Sequence, residues 1–194
     1  CLATWNQLAE GKSSCDYTYH MSMIEWKPTI AAEIQEMIAA GITSFKMHMA
    51  YDNLRTTDAE IFEAMKEIKK VNGMLGVHCE NGDLVDELIQ SYVSQGKLAP
   101  HYHPLSRPAA VEAEAVARYL MIAEMADLSV NIVHLSTKRS LEAVERARQR
   151  GQSVYVETCP QYLLLDDHLY DAPNFEAAKY VCSPPLRKRE DQQA

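Results

Sequence analysis

GITSFKMHMAY, residues 41–51, decides the fold. Gly41 closes a helical pattern that runs over Thr29 to Ala40, and Thr43 to Met49 then reads as a strand. Inside that strand Lys46 stands between Phe45 and Met47. Two other short apolar runs end on a polar residue in the same way: LGVHCEN (75–81) at His78 and NIVHLS (131–136) at His134. Each of the three is followed by a helix-like segment, so a lysine and two histidines come to the carboxyl ends of successive strands. In a barrel of parallel strands that face carries the chemistry.

The rest of the chain repeats the alternation. Asp16 to Ile24 reads as a strand, and Thr57 and Asp58 can cap a helix that runs to about Val71 with Ile61, Ala64, Met65 and Ile68 on one face. Asn72-Gly73 is a stop, and Met74 to His78 is a strand. Asp83 opens a helix with Leu84, Leu88 and Ile89 inside, and Gln95 to Pro108 is a long polar loop. A helix over Ala109 to Ala126, a strand over Val130 to His134, a helix over Thr137 to Arg150 and a strand over Ser153 to Thr158 follow. Pro160 to Ser183 reads as irregular, and Pro184-Pro185 forbids regular structure. Five strands alternating with four helices give α/β with a parallel sheet. The absence of a GxGxxG or a P-loop after any strand, together with the polar strand ends, favours part of a (β/α)8 barrel over an open doubly wound sheet.

Composition narrows the classes. The 194 residues suffice for one domain, 47% are hydrophobic, and the net charge is −8. An acidic chain without a basic run has no footprint for nucleic acid or an anionic membrane. Five scattered cysteines (Cys1, Cys15, Cys79, Cys159, Cys182), with no CxxC, read as reduced thiols of a cytoplasmic protein. No apolar run reaches the ~18–20 residues of a membrane span, and no signal peptide is visible. The chain opens at Cys1 without an initiator methionine and stops within the start of a helix at Asp191 to Ala194, which reads as an internal piece of a larger protein.

A lysine buried in an apolar strand is costly unless its charge is lost or paired. A neutral Lys46 amine can add carbon dioxide, and the resulting carbamate can bridge two divalent ions as a carboxylate would. The alternative is an ion pair with a carboxylate on a neighbouring strand. His78 and His134 supply neutral imidazoles suited to zinc and related ions. His48, two residues from Lys46 on the same strand face, lines the same pocket or packs there. His101 and His103 lie in the proline-rich loop and read as structural, and His20 and His168 have no partner at metal-ligand spacing. Tyr51 can donate to a developing oxyanion. Ser183, held by two prolines, can face a ligand. Glu80 can hold His78 from behind, whereas Asp83 is explained by capping. No GxSxG elbow is present, and nothing marks Cys79 or Cys159 as a nucleophile.

GITSFKMHMAY, GVHCENGD (76–83), SRPAAVEAEA (106–115), NIVHLSTK (131–138), VETCPQYL (156–163) and CSPPLR (182–187), in this order, resemble the D-hydantoinase and dihydropyrimidinase family of the amidohydrolase superfamily. The resemblance implies that residues 1–194 are part of a single metal-dependent hydrolase barrel, running from about the third to the seventh βα unit. It implies two divalent ions, usually zinc, bridged by a carboxylated Lys46, with His78 and His134 binding one of them. Tyr51 matches the tyrosine that hydrogen-bonds the substrate carbonyl, and Ser183 the residue whose backbone holds the ring amide. An HxH pair and an aspartate that complete the family's site lie outside this sequence. Two departures are His48, where an aromatic is usual, and Cys79, where alanine is usual. The implied reaction is hydrolysis of hydantoins and dihydropyrimidines to N-carbamoyl amino acids and ureido acids by a metal-bridging hydroxide, in a homo-oligomer (tetramer or dimer). Allantoinase or dihydroorotase is a rival within the class, against which MAY and CSPPLR argue. A non-catalytic assembly or signalling relative is a rival outside it, against which Lys46, His78 and His134 argue. The segment alone is expected to be inactive.

Overall fold

The computed structural model describes residues 2–194. Five strands, β1 (His20–Ser22), β2 (Ser44–His48), β3 (Met74–His78), β4 (Val130–Ile132) and β5 (Val154–Val156), form one parallel sheet in chain order. The helices are α1 (Leu2–Ala9), α2 (Ile30–Ala39), α3 (Asp58–Lys70), α4 (Gly82–Ser94), α5 (Tyr102–Ser106), α6 (Ala109–Ala126), α7 (Lys138–Gln149), α8 (Pro160–Leu164) and α9 (Arg189–Gln192). A doubly wound sheet reverses its strand order partway. This one does not, and α2, α3, α6 and α7 pack on one face.

The pleat explains that asymmetry. Register pairs Phe45 with Leu75, Leu75 with Val130 and Val130 with Val154, all on the helix side. These side chains join Met47, Val77 and Ile132 in one buried cluster with Ile61, Met65 and Ile68 of α3, Val116, Tyr119 and Leu120 of α6, and Val144 of α7. Successive side chains on a strand point to opposite faces, so the intervening residues turn the other way. They are Ser22, Lys46, Gly76, Asn131 and Tyr155, paired across the sheet in that order. Tyr155 is 54% exposed although it sits within a strand. A parallel sheet is ordinarily covered on both faces. One covered face and one polar face, with strands in sequential order, is consistent with part of a barrel.

Local chemistry sets the helices. Thr57 accepts from the Glu60 backbone N–H while the Glu60 carboxylate accepts from the Thr57 backbone N–H, a complete capping box for α3. The four apolar residues expected on one face of α3 are all buried. Gly41, at φ +83°, closes α2 in the left-handed region that glycine adopts without strain. Gly76 serves a different need: a Cβ there would meet Val133 Cγ2 at 2.9 Å, so β3 and the end of β4 approach only because the side chain is absent.

Several expected boundaries shift. β1 is three residues rather than the whole of 16–24, and β4 stops at Ile132 instead of reaching His134. His134 has φ +43°, which removes it from the ladder. Asn81, not Asp83, caps α4 by accepting from the Leu84 N–H, and Asp83 instead pairs with Arg55 at 2.8 Å. Leu84 is exposed and Val85 takes the buried position expected of it. The 95–108 loop contains α5, and the stretch expected to be irregular holds α8 and two 3-10 turns, Asp167–Asp171 and Glu176–Tyr180. Cys15, Cys79, Cys159 and Cys182 are free thiols, while Cys1 lies outside the described residues. No helix among the described residues is long and apolar enough to cross a membrane.

Candidate metal centre

The strand ends of β2, β3 and β4 converge. His78 Nδ1 lies 2.9 Å from His134 Nε2, and the two rings meet edge-on with centroids 4.7 Å apart. The other nitrogen of His78 faces Glu80 Oε2 at 2.8 Å. Glu80 is fully buried, and its Oε2 also accepts from Arg107 Nη1 at 2.5 Å. Burial pushes the Glu80 carboxyl upward, but the hydrogen bond from His78 and the charge of Arg107 outweigh it, so the group stays below its ordinary value and ionised. A carboxylate behind a histidine fixes the ring and leaves its opposite nitrogen free to ligate.

Lys46 is half-buried on the same face. Burial lowers its pKa, opposed by the charges of Glu157 and Cys159. Among the described residues its ammonium has no hydrogen-bond or ion-pair partner, so the alternative reading, an ion pair on a neighbouring strand, is not formed. Burial, then the charges of His78 and Lys46, bring the His134 pKa down to about 3. His134 is therefore neutral at pH 7, as a metal ligand must be.

These donors suit a divalent ion. Tetrahedral zinc with nitrogen at about 2.0–2.1 Å separates its ligand atoms by roughly 3.3 Å. His78 Nδ1 and His134 Nε2 reach that spacing with a few tenths of an ångström of opening, which keeps Glu80 in place. Lys46, on β2, is near enough for its charge to lower the pKa values of His134 and His48.

The remaining expected residues gather around this point. The Tyr51 ring lies 4.9 Å from that of His78, with the Arg107 guanidinium 5.4 Å over it. Burial raises the Tyr51 pKa, partly offset by the nearby Ser183 side chain, so Tyr51 stays a protonated donor beside Ser183. Tyr51 (φ +72°) and His134 (φ +43°) both hold the left-handed region. Strained backbone of this kind persists where surrounding contacts impose it, and it clusters at functional sites. His48 stacks near His78 at 6.0 Å, and its buried Nδ1 has no partner among the described residues. Burial and the Lys46 charge bring its pKa to about 4.

The other histidines stay apart. His101 pairs with Asp171 at 2.6 Å on the surface, and His20 lies 2.5 Å from the Ser44 hydroxyl. His103 donates to the Cys182 carbonyl at 2.7 Å and so ties α5 to the 182–187 loop. His168, expected to stand alone, lies within 4.8 Å of Asp166 and Asp167, but Asp166 is already engaged by Arg189 at 3.1 Å. A cavity of about 890 Å³ runs between α5 and α9 along Lys138, Asp167 and Glu190, away from the strand ends.

Two supports were missed in the sequence. Tyr162 donates to the Pro184 carbonyl at 2.6 Å, and Tyr170 accepts from the Leu186 N–H at 2.9 Å, in a second small core under the 182–187 loop. Pro160 at the first turn of α8 was the available signal for the helix that presents Tyr162. Glu112 and Arg187, both buried, form the second support.

No family model matches the chain. Its relatives nonetheless agree. It is 41% identical over 191 residues to the D-hydantoinase of Ralstonia pickettii, an alignment covering 98% of this chain and 42% of that one. The solved D-hydantoinase of a Bacillus species superposes with a TM-score of 0.95 at 38% identity, over 99% of this chain and 43% of that one. The dihydropyrimidinase of Brevibacillus agri gives 0.94 at 38% identity, over 98% and 42%. The chain thus resembles D-hydantoinases and dihydropyrimidinases along nearly its whole length and spans about two fifths of theirs.

Proposed function

We propose, from the similarity to D-hydantoinases and dihydropyrimidinases over the whole chain, that these residues are one part of a cyclic amidase that hydrolyses hydantoins and dihydropyrimidines. On this reading residues 1–194 belong to a single barrel domain, from about its third to its seventh βα unit. The observation that carries it is the convergence of His78 Nδ1 and His134 Nε2, 2.9 Å apart, beside an unpaired Lys46, with Tyr51 and Ser183 on the rim.

His78 and His134 would hold one divalent ion, zinc by preference, and Lys46 as its carbamate would bridge to a second. Two such ions supply a Lewis acid and a water made nucleophilic at neutral pH. The protein's own groups do the rest. Burial lowers the Lys46 pKa and so raises the fraction of free amine that can take up carbon dioxide. Glu80 keeps the His78 ring in one orientation. Tyr51, protonated at pH 7, donates to the carbonyl oxygen of the ring as negative charge builds there. Such a fixed donor lowers an acyl-transfer barrier by about 3–4 kcal/mol. Ser183 offers its backbone to the ring amide. The ligand that carries the proton to the leaving nitrogen would come from the aspartate the family places outside this sequence.

The full protein is proposed to be cytoplasmic and homo-oligomeric, without nucleic-acid or membrane partners. The deciding experiment measures metal content and hydrolysis of hydantoin and dihydrouracil by the full-length protein. About two ions per chain with turnover supports the amidase. A metal-free protein without turnover would favour the non-catalytic relatives instead. The 194-residue chain by itself, with its inner sheet face open, is expected to show no turnover.

A further inference from the structure

The two parts of the candidate site come from distant stretches of chain. His134 belongs to the turn that follows β4, and Ser183 belongs to the 182–187 loop. One side chain reaches both. Arg187 is 6% exposed, and each of its guanidinium nitrogens has its own acceptor. Nε donates to Ser136 Oγ at 3.0 Å, Nη2 to Glu112 Oε2 at 3.3 Å, and Nη1 to the Arg107 carbonyl.

From these acceptors the network runs in two directions. Glu112 accepts from the backbone N–H of Ser136 and of Thr137, each at 3.1 Å, and from both hydroxyls. That clamp holds the two residues that follow the strained His134–Leu135 step. Arg107 leads the other way, to Glu80 at 2.5 Å and through it to His78 at 2.8 Å. Both histidines and the loop that bears Ser183 therefore share a single buried network. A planar fork with three separately satisfied nitrogens cannot be replaced by the single ammonium of lysine. A buried carboxylate deprived of its cation is strongly destabilised.

We infer that Arg187 is a positioning residue that couples the histidine-bearing strand ends to the 182–187 loop, so that the metal-binding and substrate-binding parts of the site order together. Arg187 touches neither metal nor substrate in this assignment and acts through Glu112, Ser136 and Arg107. The inference rests on the function proposed above for its meaning, but not for its test.

The test is amide hydrogen exchange on the full-length protein, with and without Arg187→Lys. The expected result is at least tenfold faster exchange in the variant at both 134–137 and 182–187, two segments that share no secondary structure. Faster exchange confined to 182–187 in a folded variant would overturn the coupling. A second measurement needs no mutation: zinc added to the metal-free protein should slow exchange at 182–187 as well as around 78 and 134. Slowing confined to the histidine segments would also overturn it. In steady-state assays the variant should lose metal affinity and gain KM together, by about tenfold each, as is usual when a group behind a metal ligand is lost. A merely structural role would lower the unfolding temperature and leave both parameters of the folded fraction unchanged. Joint exchange in a full-length protein that turns over neither substrate would sink the amidase reading and leave the coupling standing.

Discussion

The two faces of β2 hold opposite kinds of residue, one position apart. Phe45 and Met47 face the helices, are almost fully buried, and belong to the main core. Ser44, Lys46 and His48 face the other way, where partners are polar or absent. The lesson is that the strand separates its duties by parity. One face stabilises the fold through burial, and the other carries groups whose burial is unfavourable and whose return lies in binding.

That division can be broken from either side. The largest expected effect is on the chemical face. Lys46→Ala in the full-length protein should abolish both bound metal and turnover, with the unfolding temperature of the metal-free protein almost unchanged, because without metal it deletes only an unpaired, half-buried ammonium. Metal analysis beside a calorimetric scan decides this, and a variant that keeps its metal would return Lys46 to a packing role. On the helix face, Phe45→Ala should cost about 3–5 kcal/mol in urea unfolding. The folded fraction should still bind metal with unchanged affinity; a specific loss of affinity would show that the faces are not separate.

Gly76→Ala tests the boundary between them. The added Cβ must displace Val133, next to His134, so a loss of about 1–3 kcal/mol is expected together with weaker metal binding. Val133→Ala in the same chain should restore much of both. The smallest effect is expected at His48→Phe. It removes a buried nitrogen that lacks a partner, and stability should rise by about 1 kcal/mol while the preference among ring substituents shifts. Destabilisation instead would mean that the rest of the full-length protein satisfies that nitrogen.

Strands, the α3 face and the approach of His78 to His134 were legible because parity and strand ends are written in local sequence. Glu80 was legible as a candidate because it stands two residues from His78. Glu112 and Arg187 were not. Glu112 sits in an alanine-rich helix where a glutamate ordinarily faces solvent, and nothing in the sequence says that residues 136 and 187 come to meet it. The same holds for Tyr162 and Tyr170, two of ten tyrosines, whose hydroxyls find the 180–186 backbone. Asp83 was misread as a cap because Asn81 and Asp83 are both good capping residues, and only the turn geometry chose between them.

By itself the sequence determined the alternation of strands and helices, the face on which each strand residue lies, and the residue types offered at three strand ends. Those depend on side-chain periodicity and local propensity, which act over a few residues. Only the tertiary structure decided that His78 Nδ1 meets His134 Nε2, that His134 leaves the strand in a left-handed turn, and that Arg187 joins the metal-side and substrate-side loops. Those depend on contacts between residues from 24 to more than fifty apart, which packing of the helices on one sheet face brings within hydrogen-bond reach.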